Sequence, residues 1–158
     1  MVTRRYAADT TVAISRTRAE IEDLLSRFGA DEVAIVTSLT RGAAIEFLLR
    51  GRRVRFLLGL PDINADEFKR TPEKKLTRTP EQQKTEWDKA CRSRWRALLL
   101  KIKADLEAVE AGIVSFDVAM YPHLVMPDGR TVSEATLPAI IKHIDSGDPA
   151  APLLALER

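Results

Sequence analysis

The chain has 158 residues, of which 45% are hydrophobic and 30% are charged, a composition typical of one ordinary soluble domain. Its single cysteine, Cys91, excludes an internal disulfide framework, and no stretch reaches the roughly 18 apolar residues of a membrane span. The first residues also lack the apolar run of a signal peptide, so we expect a domain of the cytoplasm.

The net charge is only +2, but the charges are unevenly distributed. Residues 69–103 carry twelve basic and four acidic side chains, whereas residues 104–158 carry three basic and nine acidic ones. This polarity predicts a basic surface near the middle of the chain and an acidic one near its end. The alternative is that the two regions neutralise each other in the folded protein.

The first predicted element is a helix over residues 18–28. Thr17 and Glu20 have the spacing of a capping box, in which each side chain satisfies an unpaired backbone N–H group at the helix start. Gly29 supplies the left-handed position that often follows a helix. One face of the helix is apolar and carries Ile21, Leu24, Leu25 and Phe28.

The next predicted elements are strands. Residues 32–37 are rich in β-branched side chains, and residues 43–60 have the pattern of a hairpin that turns at Arg50-Gly51. Pro61 has no N–H group for the ladder and is expected to end the second hairpin strand. One register gives the hairpin an apolar face and a charge-paired face at once. Its pairs are Phe47 with Val54, Ile45 with Phe56, and Glu46 with Arg55, with Arg53 diagonal to Glu46.

Two near-identical Arg-Thr-Pro-Glu units lie in a basic stretch. The first, residues 70–73, is predicted to be a turn or a single helical turn within an exposed basic loop over residues 62–79. This loop has no apolar period and is expected to bury little surface. The second unit begins a long helix over about residues 81–111, with Thr79 and Gln82 as a capping box and a proline at the first helical position.

One apolar stripe is predicted to bury the long helix against the core, and Gly112 is expected to end the helix. The stripe consists of Trp87, Cys91, Trp95, Leu98, Ile102, Leu106, Val109 and Ile113. Cys91 is therefore predicted to be a buried, inert thiol. Trp87 and Trp95 could stack on nucleic-acid bases, but helical spacing favours the core for both.

The C-terminal part is predicted to hold a β turn at residues 127–129 and a final helix that stops at Gly147. This helix begins near Thr131 or near Thr136. Pro138 must then lie in its first turn or produce a kink, because proline removes a backbone N–H group from the helical ladder.

Together these elements predict a single α+β domain over residues 1–158, with an irregular tail at residues 148–158. The domain has an N-terminal helix, a three-stranded antiparallel sheet, a long amphipathic helix, and a short C-terminal β turn and helix. The order α-β-β-β-α resembles that of double-stranded-RNA-binding domains. That likeness is one of element order, and topology alone does not establish function.

Four segments resemble, in the same order, segments of an uncharacterised protein family encoded by bacteriophages, prophages and mobile elements. They read GADEVAIVTS, IEFLLRGRRVRFLLGLPD, RWRALLLKIKADLEAVEAGI and VMPDGRTVSE. The resemblance implies a phage or mobile-element setting, in which handling of nucleic acid and interference with a host protein are both common tasks. It implies no catalytic or binding residues, because the family has no established activity.

The segment LPDINADEFK holds the sharpest enzymatic candidate. Asp62 follows a strand and is followed by Glu67-Phe68-Lys69, which matches the PD-(D/E)xK nuclease pattern, whose carboxylates hold Mg²⁺. Only four residues separate Asp62 from Glu67, too few to turn the chain and pair a second strand. We therefore predict a polar loop and no metal site.

The two histidines do not predict a zinc site, because His123 and His143 lie twenty residues apart with no cysteine near either. His123 could act with Asp117 or Asp128 in acid–base catalysis, but a solvated loop histidine is the simpler prediction. No serine has the glycine frame of a nucleophile elbow. We therefore predict a protein that has no catalytic residues and no cofactor and that is not an enzyme.

Basic residues are the best-supported binding candidates. They lie on the predicted hairpin, in the predicted loop and on the first half of the long helix, where they could follow a phosphate backbone. The candidate contacts are Arg52, Arg53, Arg55, Lys69, Arg70, Lys74, Lys75, Arg78, Arg92 and Arg96. The alternative is a solvated surface on which Glu46, Glu73 and Glu81 pair with these cations.

The sequence therefore favours a small non-enzymatic accessory protein of a phage or mobile element that binds nucleic acid, duplex or single-stranded, mainly through phosphate contacts. The alternative is a protein-binding module that inhibits or recruits a host or phage factor, for example an anti-defence protein. In that case either the acidic C-terminal part or the basic hairpin is the interface. Composition does not separate the two hypotheses.

Overall fold

A computed structural model describes residues 11–38 and 42–147 of the chain. The helices in this part are Ile14–Arg27 (α1), Asp66–Lys69 (α2), Pro80–Glu110 (α3), Phe116–Met120 (α4) and Val132–Asp145 (α5), with a 3-10 turn at Tyr121–His123. The strands are Glu32–Ser38 (β1), Gly42–Leu49 (β2) and Arg52–Leu58 (β3), and they form one antiparallel sheet in the order β1-β2-β3. The predicted α+β class is confirmed. No helix in the described ranges is both long and apolar enough to cross a membrane.

The hairpin has the predicted turn and register. Arg50 and Gly51 have φ values of 52° and 73°, and two successive residues with positive φ make the tight turn that matches the twist of paired strands. The pairs are Phe47 with Val54, Ile45 with Phe56, and Glu46 with Arg55. The apolar members of these pairs are buried, so this register places one face of the sheet on the core.

The second hairpin strand ends earlier than predicted. The pairing of β3 with β2 stops at Leu58, opposite Ala43, so the strand ends three residues before Pro61. The partner strand ends the ladder here, because β2 itself begins at Gly42. A strand can continue only where a neighbour supplies hydrogen-bonding groups, and Pro61 therefore lies in the connection that follows.

The hydrophobic core lies between one face of the sheet and the helices α1, α3 and α4. Its largest fully buried side chains include Trp95, Phe47, Phe56, Ile21, Ile102, Leu106 and Met120. The stripe predicted for α3 is buried at five of its eight positions, which confirms the core prediction for Trp95. Trp87 is half-buried and donates its indole N–H to the Pro61 carbonyl at 2.7 Å. Ile113 lies beyond the helix and is 79% exposed, so its predicted place on the stripe is wrong.

Helix α1 begins four residues before the predicted start. Ala13 is the residue before the helix, and Thr17 lies inside it, buried, with its hydroxyl 3.5 Å from the Ala13 carbonyl. The predicted capping box at Thr17 is therefore wrong. Ile14 packs against the core and extends the helix by one turn. The predicted C-terminal glycine is confirmed: Gly29 has φ of 85°, and its N–H donates to the Ser26 carbonyl at 3.0 Å.

Helix α3 has the capping box predicted at its start. The Gln82 N–H donates to the Thr79 hydroxyl oxygen at 3.3 Å, and the Thr79 N–H donates to the Gln82 side-chain oxygen at 3.0 Å. At its end Gly112 has φ of 70°, which confirms the predicted stop. The 31 residues of α3 make it the longest of the described helices, and it runs from the basic segment to the core.

Replacing Thr79 by alanine should lower the free energy of unfolding by about 1 kcal/mol, because the variant loses the oxygen that caps α3. The matched control is Thr85→Ala on the same helix. The Thr85 hydroxyl donates to the Glu81 carbonyl at 2.9 Å, a bond that adds nothing to the helical ladder, so a change of only a few tenths of a kcal/mol is expected. Equal losses in urea unfolding would show that the cap contributes no special stability.

The C-terminal segment has the predicted turn and decides where the final helix begins. The Gly129 N–H donates to the Met126 carbonyl at 2.9 Å, which closes the predicted turn. Helix α5 begins after Thr131 and not after Thr136, with Glu134 completing a capping box. Pro138 is the seventh residue of α5, which excludes the first of the two predicted possibilities, a place in the first turn. The predicted tail over residues 148–158 lies outside the described residues.

Helix α5 contributes no buried side chain and packs chiefly against the 3-10 turn. Its anchor to the rest of the fold is the segment between that turn and the helix. The Val125 N–H donates to the Arg53 carbonyl at 2.8 Å, and the Val132 N–H donates to the Leu124 carbonyl at 2.9 Å. These bonds attach the segment to the outer edge of β3 and hold the start of α5 in place.

Candidate nucleic-acid interface

The predicted basic loop is folded into a small lobe, which we define as residues 66–78. It contains α2, and its two ends meet where Arg70 and Thr77 form an isolated β-bridge. The expectation that this segment buries little surface is wrong at Phe68, which is only 5% exposed. A turn lies over residues 72–74, as predicted, and Lys75 has φ of 51°. The lobe therefore presents its side chains from an ordered backbone.

Arg78 closes the lobe. One guanidinium nitrogen, Nη1, donates to the carbonyl oxygens of Glu67 at 2.7 Å, Arg70 at 2.8 Å and Phe68 at 3.3 Å. Hydrogen bonds from a charged donor are stronger than those between neutral groups, so this side chain ties the end of the lobe to the carbonyl groups of α2 and of the residue that follows it. Arg78 was predicted only as a phosphate contact, and the structure gives it this structural role as well.

The predicted hairpin contacts are paired within the fold. Arg55 and Arg53 reach Glu46 at 2.7 Å and 3.0 Å, and Arg52 reaches Asp117 at 3.2 Å. Burial by itself raises the pKa of Glu46, but hydrogen bonds and charge from the two arginines outweigh that effect and leave the pKa below its usual value. The carboxylate is therefore ionised and neutralises hairpin charge.

The predicted contacts on α3 are also engaged or partly enclosed. Arg96 forms an ion pair with Glu20 of α1, and Arg92 is half-buried. Arg94, close to the middle of the helix, donates to the Gly59 carbonyl. Arg94 and Arg96 thus hold α3 against its neighbours, so their charge is only partly open to an external partner.

Four predicted contacts on the lobe differ from the others. Their side chains are exposed and form no ion pair within residues 11–38 and 42–147; they are Lys69, Arg70, Lys74 and Lys75. The alternative hypothesis gave them Glu73 and Glu81 as partners, but neither glutamate forms an ion pair with a described residue. The structure therefore concentrates the unpaired charge of the predicted site on the lobe.

An open cleft of about 930 Å³ separates the lobe from α3. Cations line it from both sides: Arg70, Lys75 and Arg78 on the lobe, and Lys89 and Arg94 on α3. Acidic residues also line it: Asp66, Glu67 and Glu86. The Glu86 carboxylate lies 2.7 Å from the Lys89 ammonium group and pairs with it.

Sequence reasoning missed the α3 side of this cleft. Its lining residues recur at steps of one, three and four, which places them on one face of the helix: Glu86, Lys89, Ala90, Ser93 and Arg94. This spacing could have predicted a shared polar face of α3. It was overlooked because the apolar stripe on another face of α3 dominates the sequence pattern.

The enzymatic candidates do not assemble into a site. Glu67 and Lys69 lie in the single turn of α2 and not on a strand, so the nuclease pattern lacks its required geometry. Within the described part of the chain, no group of three or more His, Cys, Asp or Glu side chains could hold a metal ion. Burial, followed by the charge of Asp88, raises the pKa of the Cys91 thiol to about 11, as expected of a buried, inert cysteine.

His123 is not the solvated loop residue that the sequence predicted. Its ring stacks on Phe56 with centroids 4.0 Å apart, because the 3-10 turn packs against β3. Asp117 pairs with Arg52 and Asp128 pairs with Arg130, so both carboxylates proposed as catalytic partners of His123 have other ionic partners. Burial and the nearby Lys101 ammonium group lower the pKa of His123 below its usual value near 6.5, against opposing effects of Asp105 and the Arg55 backbone.

This lowered pKa predicts a loss of stability in mild acid. The folded protein binds a proton at His123 less readily than the unfolded chain, so stability is full above the ordinary histidine pKa and falls as the pH drops through it. Urea unfolding should show a lower midpoint at pH 5.5 than at pH 7.5. The variant His123→Gln should lose most of this difference, because it cannot be protonated. Identical pH profiles for both proteins would contradict the assignment to His123.

Comparison of the chain with protein-family models, with curated proteins and with solved structures gives no match. The partner of this surface must therefore be inferred from its own residues. Those residues provide exposed cations without an ion pair among the described residues, on an ordered lobe with a cleft beside it.

Proposed function

We propose that this protein is a small non-enzymatic accessory protein of a phage or mobile element that binds nucleic acid mainly through phosphate contacts. The observation that supports this proposal is the charge of the lobe. Lys69, Arg70, Lys74 and Lys75 are exposed and have no ionic partner among the described residues. A phosphate can pair with them without breaking an internal ion pair, and the release of counterions from nucleic acid then drives association.

The ordered backbone of the lobe adds to this argument. Binding that orders a flexible segment costs conformational entropy, which lowers affinity. Here Arg78 and the buried Phe68 already hold the backbone in place. The hairpin arginines are weaker candidates, because a phosphate would have to compete with Glu46 for Arg53 and Arg55.

Fluorescence anisotropy with duplex DNA, single-stranded DNA and RNA tests the proposal. Affinity should fall steeply between about 50 and 200 mM salt, with the slope of log K against log salt changing by about 0.9 for each phosphate contact. A lobe variant with Lys69, Arg70, Lys74 and Lys75 all changed to glutamine should bind at least about tenfold more weakly and with a shallower slope.

The matched control removes the same number of positive charges from the hairpin, with Arg50, Arg52, Arg53 and Arg55 changed to glutamine. This variant should retain most of the affinity, because each of these arginines is paired internally. If the hairpin variant loses more affinity than the lobe variant, the binding surface lies on the hairpin and not on the lobe. An absence of binding to all three nucleic acids at low salt would reject the proposed function.

One observation favours the second candidate, a module that binds a host or phage protein. Helix α5 exposes an apolar stripe whose members lie three and four residues apart and are 46–67% exposed: Leu137, Ile140, Ile141 and Ile144. Such a stripe is normally buried against another element. If α5 is the interface, a host or phage protein should co-purify with the wild-type chain and not with the variant that carries Ile140→Lys and Ile144→Lys. Folding and nucleic-acid binding of this variant should be unchanged.

A further inference from the structure

The cleft between the lobe and α3 has basic groups on two opposed walls. Arg70 and Lys75 line it from the lobe, and Lys89 and Arg94 line it from α3. With Arg78 there are five cations against three carboxylates, a net charge of +2 for the lining, and one of those carboxylates is already paired with Lys89. A chain of phosphates that enters the cleft would therefore meet positive charge on both sides.

The cleft also has an apolar part. Its uncharged lining consists of Pro61, Phe68, Pro72, Ala90 and Ser93. Phosphates can pair with the basic walls, whereas the exposed Pro72 and the half-buried Pro61 and Ala90 offer apolar surface to base faces or to the carbons of the sugar. A duplex hides its base faces in the stack and offers only its backbone and groove edges, but a single strand presents phosphates and base faces together.

The size of the cleft also favours a single strand over a duplex. Its volume is about 930 Å³, near the upper end of the range of small-molecule sites, which is roughly 300–1,000 Å³. Such a space admits a short run of unpaired nucleotides. A duplex of the same length needs about twice this space, because it carries a second strand with its own backbone.

We infer that this cleft is the binding track for a single nucleic-acid strand, with Arg70 and Lys75 contacting its phosphates and α3 forming the opposite wall. The inference rests on the proposed function, because it specifies that the nucleic acid is single-stranded and that it binds in this cleft. Lys69 and Lys74 lie outside the cleft and add only general attraction.

Two double variants of the full-length chain separate the cleft from the general charge of the lobe. Arg70→Gln with Lys75→Gln removes two charges that line the cleft, and Lys69→Gln with Lys74→Gln removes two charges from the same lobe that do not. For a single-stranded 12-nucleotide probe, the cleft variant should bind at least about tenfold more weakly, and the outer variant less than about threefold. Thermal unfolding should match the wild type for both, because the four side chains form no ion pair with a described residue.

A third variant blocks the cleft without changing its charge. Ser93→Trp should weaken binding of the single-stranded probe, and an excess of duplex with the same sequence should not displace that probe from the wild-type protein. Equal losses from the two double variants would overturn the cleft inference and leave the proposed function intact. Tighter binding of duplex than of single strand would also overturn the inference. No binding of either probe would reject the proposed function itself.

Discussion

Replacing Phe56 by alanine will lower the free energy of unfolding by about 3–5 kcal/mol. The ring is almost completely buried in β3, 6.2 Å from the ring of Phe47 and 4.0 Å from that of His123 between centroids. Its removal takes away apolar contact and leaves a cavity where the sheet, α3 and the 3-10 turn meet, and a close-packed core collapses only partly into such a space. Phe47→Ala should cost a similar amount.

The control for this prediction is the next residue in the same strand. Leu57 points to the opposite face of the sheet and is 56% exposed, so Leu57→Ala should change stability by only a few tenths of a kcal/mol. Urea unfolding followed by tryptophan fluorescence gives both values, since Trp95 lies in the core. Equal losses at residues 56 and 57 would mean that the strand register is wrong.

Replacing Gly42 by alanine will destabilise the fold by about 2–6 kcal/mol, from backbone strain and overpacking together. Gly42 has φ of 98°, a conformation that residues with a Cβ atom rarely adopt. An added Cβ would also lie 2.1 Å from the Leu58 carbonyl oxygen and 3.1 Å from the Leu60 nitrogen. These are backbone atoms at the end of β3, so the sheet must shift to make room.

The matched control is Gly59→Ala, seventeen residues further along the chain and close to the same strand end. No heavy atom lies within 4 Å of the position of an added Cβ there, and the backbone is not in the left-handed region. This substitution should leave stability unchanged or raise it by up to about 1 kcal/mol, because alanine reduces the freedom of the unfolded chain. Equal changes in the free energy of unfolding for the two variants would contradict the close packing of Gly42 against the Leu58 carbonyl.

The elements that could be predicted from the sequence are those set by nearby residues. The register of the hairpin follows from alternation, a two-residue turn and the Glu46–Arg55 pair, which are all contained in one short stretch. The start of α3 follows from Thr79 and Gln82 in the same way. Each of these signals is local, so no knowledge of distant packing is required.

The elements that could not be predicted depend on distant contacts. Helix α1 starts early because Ile14 packs on the core, and α4 is only five residues long, too short for a periodic signal, although it buries Phe116 and Met120. His123 is half-buried because the 3-10 turn docks on Phe56, far away in the sequence.

The same division applies to the candidate site. A count of basic residues located the charged segment, but it could not separate paired from unpaired side chains. The pairing of Arg52 with Asp117 spans 65 residues, and that of Arg96 with Glu20 spans 76. Nor could it show that Arg78 bonds to backbone carbonyls while Lys74 and Lys75 form no ion pair with a described residue. The chemical type was visible in the sequence, and the availability of each charge was not.

Helix α5 has a consequence for how the protein opens. The free energy of a local opening depends on the apolar surface and hydrogen bonds that are lost, and α5 buries no side chain. Its backbone amides should therefore exchange with deuterated solvent long before those of α3, through an opening that leaves the sheet intact. The boundary of this exchanging unit should lie near Thr131, whose N–H is held by Glu134 at 2.7 Å. We therefore expect the C-terminal helix to unfold and refold as a separate unit while the core persists.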